Sequence, residues 1–169
     1  SPIAFIIKNE DAKTKDYTHL KNTFRPSHAD FTYHAKYGFR DYRGGGRSSA
    51  RETVSRVVAG SVAMQILDKV GVKIQAFVSA VGNVKTNKSY KDMDLSVRYS
   101  NVVRCPDIEC ASQMISEIEK VKQVGDTIGG EITGLATGLP AGWGEPVFDK
   151  LHADIGKAML SINAVKGFE

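Results

Sequence analysis

The segment Asp41-Tyr-Arg-Gly-Gly-Gly-Arg-Ser-Ser-Ala-Arg-Glu-Thr53 carries the residue types that bind anions. Ser49 and Glu52 have the Ser-x-x-Glu spacing of a capping box, which predicts a helix starting at Ser49. Three consecutive glycines, Gly44 to Gly46, let the backbone approach a ligand closely. A helix start presents unpaired N–H groups and a partial positive charge, and both favour phosphate. Arg47 sits just outside the cap, and Arg51, four residues on, falls on the same side of the first turn. The helix dipole contributes about 0.3–1 kcal/mol per charge. A charge-assisted hydrogen bond adds about 1.5–3 kcal/mol. Two arginines around such a cap therefore suffice for phosphate binding at about micromolar strength. The segment is neither a Walker loop, since no Gly-Lys-Ser/Thr follows, nor a dinucleotide fingerprint, since its glycines are consecutive. The bland alternative is a flexible turn entering an ordinary capped helix.

Upstream, Phe24-Arg-Pro-Ser-His-Ala-Asp30 places His28 two residues from a carboxylate and three from Arg25. A histidine moves protons near neutral pH, and Asp30 is positioned in sequence to orient it. His19, His34 and His152 sit in no such company. The charge distribution points to the same region. The chain's net charge is +4, and the window from Arg25 to Arg56 holds seven basic and three acidic residues, which accounts for all of it. Arginine's planar fork suits phosphate and carboxylate. Cys105 and Cys110 are the chain's two cysteines. With no histidine nearby they cannot make a four-ligand zinc site, and two free thiols in a reducing cytoplasm are expected.

The elements that must position these groups follow from periodicity. Residues 3–7 suggest a short strand. The stretch from Phe24 to Gly46 has no sustained apolar period and reads as a site-forming loop. Ala50 to about Val70 predicts a helix with a broad apolar face (Val54, Val57, Val58, Val62, Ile66 and Val70) packed closely on its neighbours, with Gly71 as its stop. Lys73–Val81 reads as a strand and 83–104 as a surface excursion. Asp107 caps a second helix with a stripe of Ala111, Met114, Ile115, Ile118 and Val121, stopped by Gly125. Thr127 to Leu139 predicts a strand, Phe148 to Leu160 a third helix, and a last strand begins near Asn163. Pattern alone does not separate a parallel βαβ arrangement from antiparallel α+β. No stretch approaches the roughly 18 apolar residues that span a bilayer. The opening Ser-Pro shows no signal-peptide pattern. The closing Val165-Lys-Gly-Phe-Glu169 reads as an interrupted strand, and the chain is expected to be one piece of a longer protein.

Taken together, Arg25-Pro-Ser-His-Ala-Asp30 and Lys36-Tyr-Gly-Phe-Arg-Asp-Tyr-Arg-Gly-Gly-Gly-Arg-Ser-Ser-Ala-Arg-Glu-Thr53 resemble the chorismate synthase signatures in content and order. Arg104-Cys-Pro-Asp107, Gly125-Asp-Thr-Ile-Gly-Gly130, Pro140-Ala-Gly-Trp-Gly-Glu-Pro-Val-Phe-Asp149 and Ser161-Ile-Asn-Ala-Val-Lys-Gly167 continue the similarity to the chain's end. The resemblance implies an anti-1,4-elimination of phosphate from 5-enolpyruvylshikimate 3-phosphate, giving chorismate with the help of reduced flavin mononucleotide (FMN). NADPH is a candidate reductant for that flavin. Residue by residue, His28 matches a histidine acting as acid toward the reduced flavin. Arg25 and Arg51 match substrate-binding arginines, and Arg47, Ser48, Ser49, Asn163 and Ala164 match flavin-binding positions. The implied fold is α+β, a helical layer packed against antiparallel sheet as part of a β-α-β sandwich. Residues 1–169 are then a single partial domain from the central part of such a chain. The implied assembly is a cytoplasmic homotetramer without nucleic-acid or membrane partners.

Family members also carry a second catalytic histidine, a glycine-rich flavin loop and a further aspartate in segments absent from these residues, so the 169-residue piece alone is expected to turn over little or no substrate. Two rival readings remain to be weighed. Phe31, Tyr33, Tyr37, Phe39 and Tyr42 interleave with Lys36, Arg40 and Arg43 as in a stacking platform for single-stranded nucleic acid. Alternatively, the arginine cluster serves as a subunit contact.

Overall fold

The computed structural model describes residues 2–10, 13–44 and 49–169. Two compact units emerge: Ser1–Ser61 with Gly144–Glu169, and Val62–Trp143.

The second unit is built on an antiparallel sheet. Strand β1 (Lys73–Val81) turns at Gly82 into β2 (Val84–Lys85), and β3 (Gly130–Thr137) pairs along the other edge of β1, giving the order β2-β1-β3. The register runs from Lys73 opposite Thr137 to Val81 opposite Gly130, with an irregularity between Val78 and Ala80. There the Val78 N–H leaves the ladder and donates to the Arg104 carbonyl at 3.2 Å. Ser79 fills the gap, its hydroxyl accepting from Thr133 Oγ1 at 2.9 Å. An extra residue in one strand is how an antiparallel pair bends.

A helix numbered α3 for its place in the chain (Ile108–Gln123) lays Cys110, Ala111 and Met114 on Val81, Val103 and Cys105. Met114 and Cys105 are fully excluded from solvent. Asp107 caps this helix as the sequence predicts, its carboxylate accepting from the Cys110 N–H at 3.5 Å. The loop ahead of it is locked by Asn101, whose amide donates to the Cys105 carbonyl at 2.7 Å and accepts from its N–H at 3.2 Å. Both cysteines are free, as expected.

The first unit contains α1 (Asp30–Tyr37), the start of α2 (Thr53–Lys69) and α4 (Leu151–Leu160). Helix α1 falls where the sequence reading places a loop. Its apolar residues are aromatic rings with a Tyr33–Tyr37 contact at 5.4 Å, and polar neighbours hide the stripe. Gly38 ends it in the left-handed conformation, its N–H bonded to His34. The predicted strand over 3–7 does not form. Ile6 is 90 % exposed, and without a partner among the described residues an extended segment gains no ladder hydrogen bonds. The expected last strand near Asn163 is replaced by a turn, closed by the Val165 N–H donating to Ile162 at 3.2 Å. The third predicted helix starts later, at Leu151, because a turn closed by the Glu145 N–H on the Asp149 carbonyl occupies the residues before it.

Helix α2 runs from Thr53 to Lys69, behind a 3₁₀ turn over Ala50–Glu52 where the sequence reading begins the helix, and the chain turns at Gly71. Its expected close packing is absent. No described residue of α2 is buried, and Val57 is 71 % exposed, because its apolar side chains point to several sides and the described residues do not cover them.

No helix among the described residues is long and apolar enough to cross a membrane. Antiparallel pairing with helix α3 packed on the sheet makes the fold α+β, as the sequence resemblance implies.

Candidate functional site

The chemistry-bearing residues gather in the first unit, in two clusters. The first is the start of α2. Ser49 caps a 3₁₀ turn (Ala50–Glu52) that leads directly into the helix. Its hydroxyl accepts from the Arg51 N–H at 3.3 Å. The predicted capping box is not made, since Ser49 Oγ takes the Arg51 N–H and not that of Glu52. Glu52 turns away from the Ser49 N–H, and both of its oxygens accept from Arg56 Nε, at 3.1 and 3.2 Å. An arginine one turn along the helix is a stronger partner for a carboxylate than a neutral amide.

Arg56 in turn reaches the turn after α4. Its Nη1 donates to Ser161 Oγ at 2.6 Å and its Nη2 to the Ser161 carbonyl at 3.2 Å. Asn163 Nδ2 donates to Glu52 Oε1 at 3.3 Å. The next residue, Ala164, holds φ at 68°, a left-handed conformation that alanine adopts only under constraint from its surroundings. Glu52 and Arg56 thereby tie the turn that Ser49 caps to the turn holding Ser161 and Asn163, with Ala164 next in the chain. The sequence reading assigned no role to Glu52 beyond capping and none to Arg56 or Ser161.

Charge at this start is uneven. Glu52 is matched by Arg56, while the exposed Arg51 guanidinium makes no ion pair with a described residue. A guanidinium without an ion pair among the described residues suits a phosphate or carboxylate. Arg47 and Ser48 lie outside the described residues, as do Gly45 and Gly46.

The second cluster surrounds Asp30, the first residue of α1. Arg25 grips its carboxylate with Nε at 2.9 Å and Nη2 at 3.1 Å, and the Arg25 N–H adds a third bond at 3.2 Å. Arg40 Nη1 lies 3.9 Å from Asp30 Oδ1. The Arg25 fork, more than any other group, holds the Asp30 carboxyl down to a pKa of about 2. Asp30 is therefore committed to arginines, and the expected orientation of His28 by Asp30 through a direct contact is not made. His28 is exposed on the turn between them, its N–H donating to the Arg25 carbonyl at 3.4 Å.

Arg40 bears on the stacking-platform alternative. Its guanidinium is tucked in, donating to the carbonyls of Leu20 and Thr23 and lying 5.0 Å from the Phe24 ring centroid. A cation used inside the fold is not offered to a nucleic-acid backbone.

The comparisons with known proteins agree on one family. The chorismate synthase family model matches residues 1–169. Chorismate synthases of Flavobacterium psychrophilum and Christiangramia forsetii are 58 % and 60 % identical to the chain over 169 residues. Each match covers 100 % of this chain and 47 % of the relative, so the chain spans about half the length of the curated relatives it matches. A solved structure titled "Crystal Structure of Chorismate Synthase" is similar with a TM-score of 0.72 and 28 % identity, covering 82 % of this chain and 45 % of the other.

Proposed function

The chain belongs to the chorismate synthase family, and on that basis we propose that the whole protein removes phosphate from 5-enolpyruvylshikimate 3-phosphate by anti-1,4-elimination. The C–O bond to the 3-phosphate breaks, a ring hydrogen leaves as a proton, and the products are chorismate and inorganic phosphate. Reduced FMN, when bound, lends electron density transiently and helps take up the ring proton, with no net redox change.

The observation that carries this reading is the join between the Ser49 cap and the Asn163–Ala164 turn through Glu52 and Arg56. It brings residues from distant parts of the sequence to one place where an anionic cofactor suits them: the hydroxyl side of a helix start, an adjacent turn, and a carboxylate already neutralised by Arg56. In this reading Ser49, Asn163 and Ala164, with Arg47 and Ser48, hold the flavin. Arg51 and Arg25 bind anionic groups of the substrate, Arg51 as a cation without an ion pair among the described residues and Arg25 through its planar fork. His28, exposed on its turn, holds a proton for transfer to the reduced flavin. NADPH is the proposed reductant, and a cytoplasmic homotetramer the proposed form of the whole protein.

The test is an anaerobic assay of the whole protein with reduced FMN and the phosphorylated substrate, following chorismate and inorganic phosphate together. Equal release of both, dependent on flavin, is expected. Phosphate release without chorismate, or no reaction with flavin bound, would remove the proposal.

A further inference from the structure

Asp30 has no part in the reaction outlined above, yet it is the most buried carboxylate among the described residues, 2 % exposed. We propose that Asp30, braced by Arg40, is a positioning residue of the site: it presets Arg25 for the substrate's anionic group and fixes the turn that presents His28. This rests on the function proposed above.

The geometry is that of a clasp. Arg25 and Asp30 stand at the two ends of the Pro26-Ser27-His28-Ala29 turn, and three hydrogen bonds between them close it. Within the turn Ser27 has φ of 60°, a conformation that needs support from outside the residue. The bidentate contact holds the Arg25 fork in one plane while leaving its side chain 25 % exposed.

Arg40 supplies the brace. Its side chain is 8 % exposed, and the carbonyls of Leu20 and Thr23 together with the Phe24 ring hold it against the strand of chain leading to Arg25. Among the described residues Nη1 has no hydrogen-bond partner, and it faces Asp30 Oδ1 at 3.9 Å, so its charge is directed at that carboxylate. Two guanidinium groups on one carboxylate leave a net positive charge, with Arg25 as the more exposed of the two.

The experiment is steady-state kinetics on the whole protein, with Asp30→Asn measured alone and in an Arg25→Gln background. A misplaced binding group costs on the order of 100-fold. Asp30→Asn is expected to lower kcat/KM by about that factor, mostly through KM. In the Arg25→Gln background most of this loss should disappear, because both changes act on one contact. Asp30→Asn leaves two guanidinium groups without a counter-charge, which costs stability; Asp30→Asn/Arg40→Gln, which removes charge of both signs, is the second variant and should show the same raised KM. Folded variants with wild-type kinetics, or losses that multiply with Arg25→Gln, would overturn the proposal. So would failure of both Asp30 variants to fold, which assigns the residue to the scaffold alone. An inactive wild-type protein would instead overturn the functional reading, and this inference with it.

Discussion

Asn163 Nδ2 donates to Glu52 Oε1 at 3.3 Å, joining residues 111 positions apart in sequence. Glu52 lies in the turn that opens α2 and Asn163 in the turn that follows α4, so one carboxylate fixes the spacing between two loops. Arg56 doubles the join by bonding both Glu52 and Ser161. Loops joined this way hold one arrangement that neither would keep alone.

Removing that carboxylate should be felt at both loops. Glu52→Ala should destabilise the fold by about 1 kcal/mol, since the groups involved are partly exposed. It should also weaken reduced FMN binding by the whole protein several-fold, which anaerobic titration will read. Unchanged affinity would mean that the join has no part in the site.

Asp30 should make stability depend on acid. Its folded pKa, about 2, lies below the ordinary 3.8, so the folded state favours the carboxylate. The stabilisation is complete above the unfolded value and is lost as pH falls through 3.8 toward 2. A shift of this size corresponds to about 2 kcal/mol. Denaturant midpoints from pH 6 down to pH 3 should fall less steeply for Asp30→Asn than for the wild-type chain.

The two thiols should be silent in the native state. Burial pushes Cys110 up to about 11 and raises Cys105 as well, so both stay protonated at neutral pH. Thiolate is the reactive form. A disulfide-exchange reagent at pH 8 should label both cysteines rapidly in denaturant and far more slowly in the folded protein. Fast native labelling would contradict the packing of Met114 over this pair.

Gly138 and Gly71 give a paired test of the sheet's end. Both have positive φ, 76° and 79°. A Cβ on Gly138 would stand 2.2 Å from the Gly71 carbonyl oxygen, whereas one on Gly71 meets nothing within 4 Å. Gly71→Ala should therefore cost about 1 kcal/mol from backbone strain alone. Gly138→Ala should cost distinctly more, because a backbone oxygen must move, and thermal unfolding of the two variants will separate them.

Much of the second unit is legible from sequence because its signals are local. The β-branched run over 73–81 coincides with β1, and Asp107, Met114 and Gly125 do what their spacing predicts. Helix α1 is not legible, since aromatic residues at 31, 33 and 37 mask its period and Ala29 offers no side-chain cap. The strand expected over 3–7 fails for the opposite reason: apolar content is local, but a strand depends on a partner. For the site, Ser49 and Arg51 are readable from the capping pattern, while Asn163 and Ala164 came only through family resemblance. No spacing rule links Glu52 to Asn163, or Arg56 to Ser161, because those pairs exist only after folding. Proximity in sequence pairs Asp30 with His28, but the charge of two arginines holds the carboxylate instead.

Arg51, which makes no ion pair with a described residue, is proposed to bind the substrate's anionic groups at the start of α2. This role is tested most directly by measuring KM for 5-enolpyruvylshikimate 3-phosphate and the Kd for reduced FMN on the whole protein and its Arg51→Ala variant. KM should rise by about tenfold or more, the loss of roughly one charge-assisted hydrogen bond, with the flavin Kd nearly unchanged. A variant that binds and converts the substrate as the wild-type protein does would contradict it.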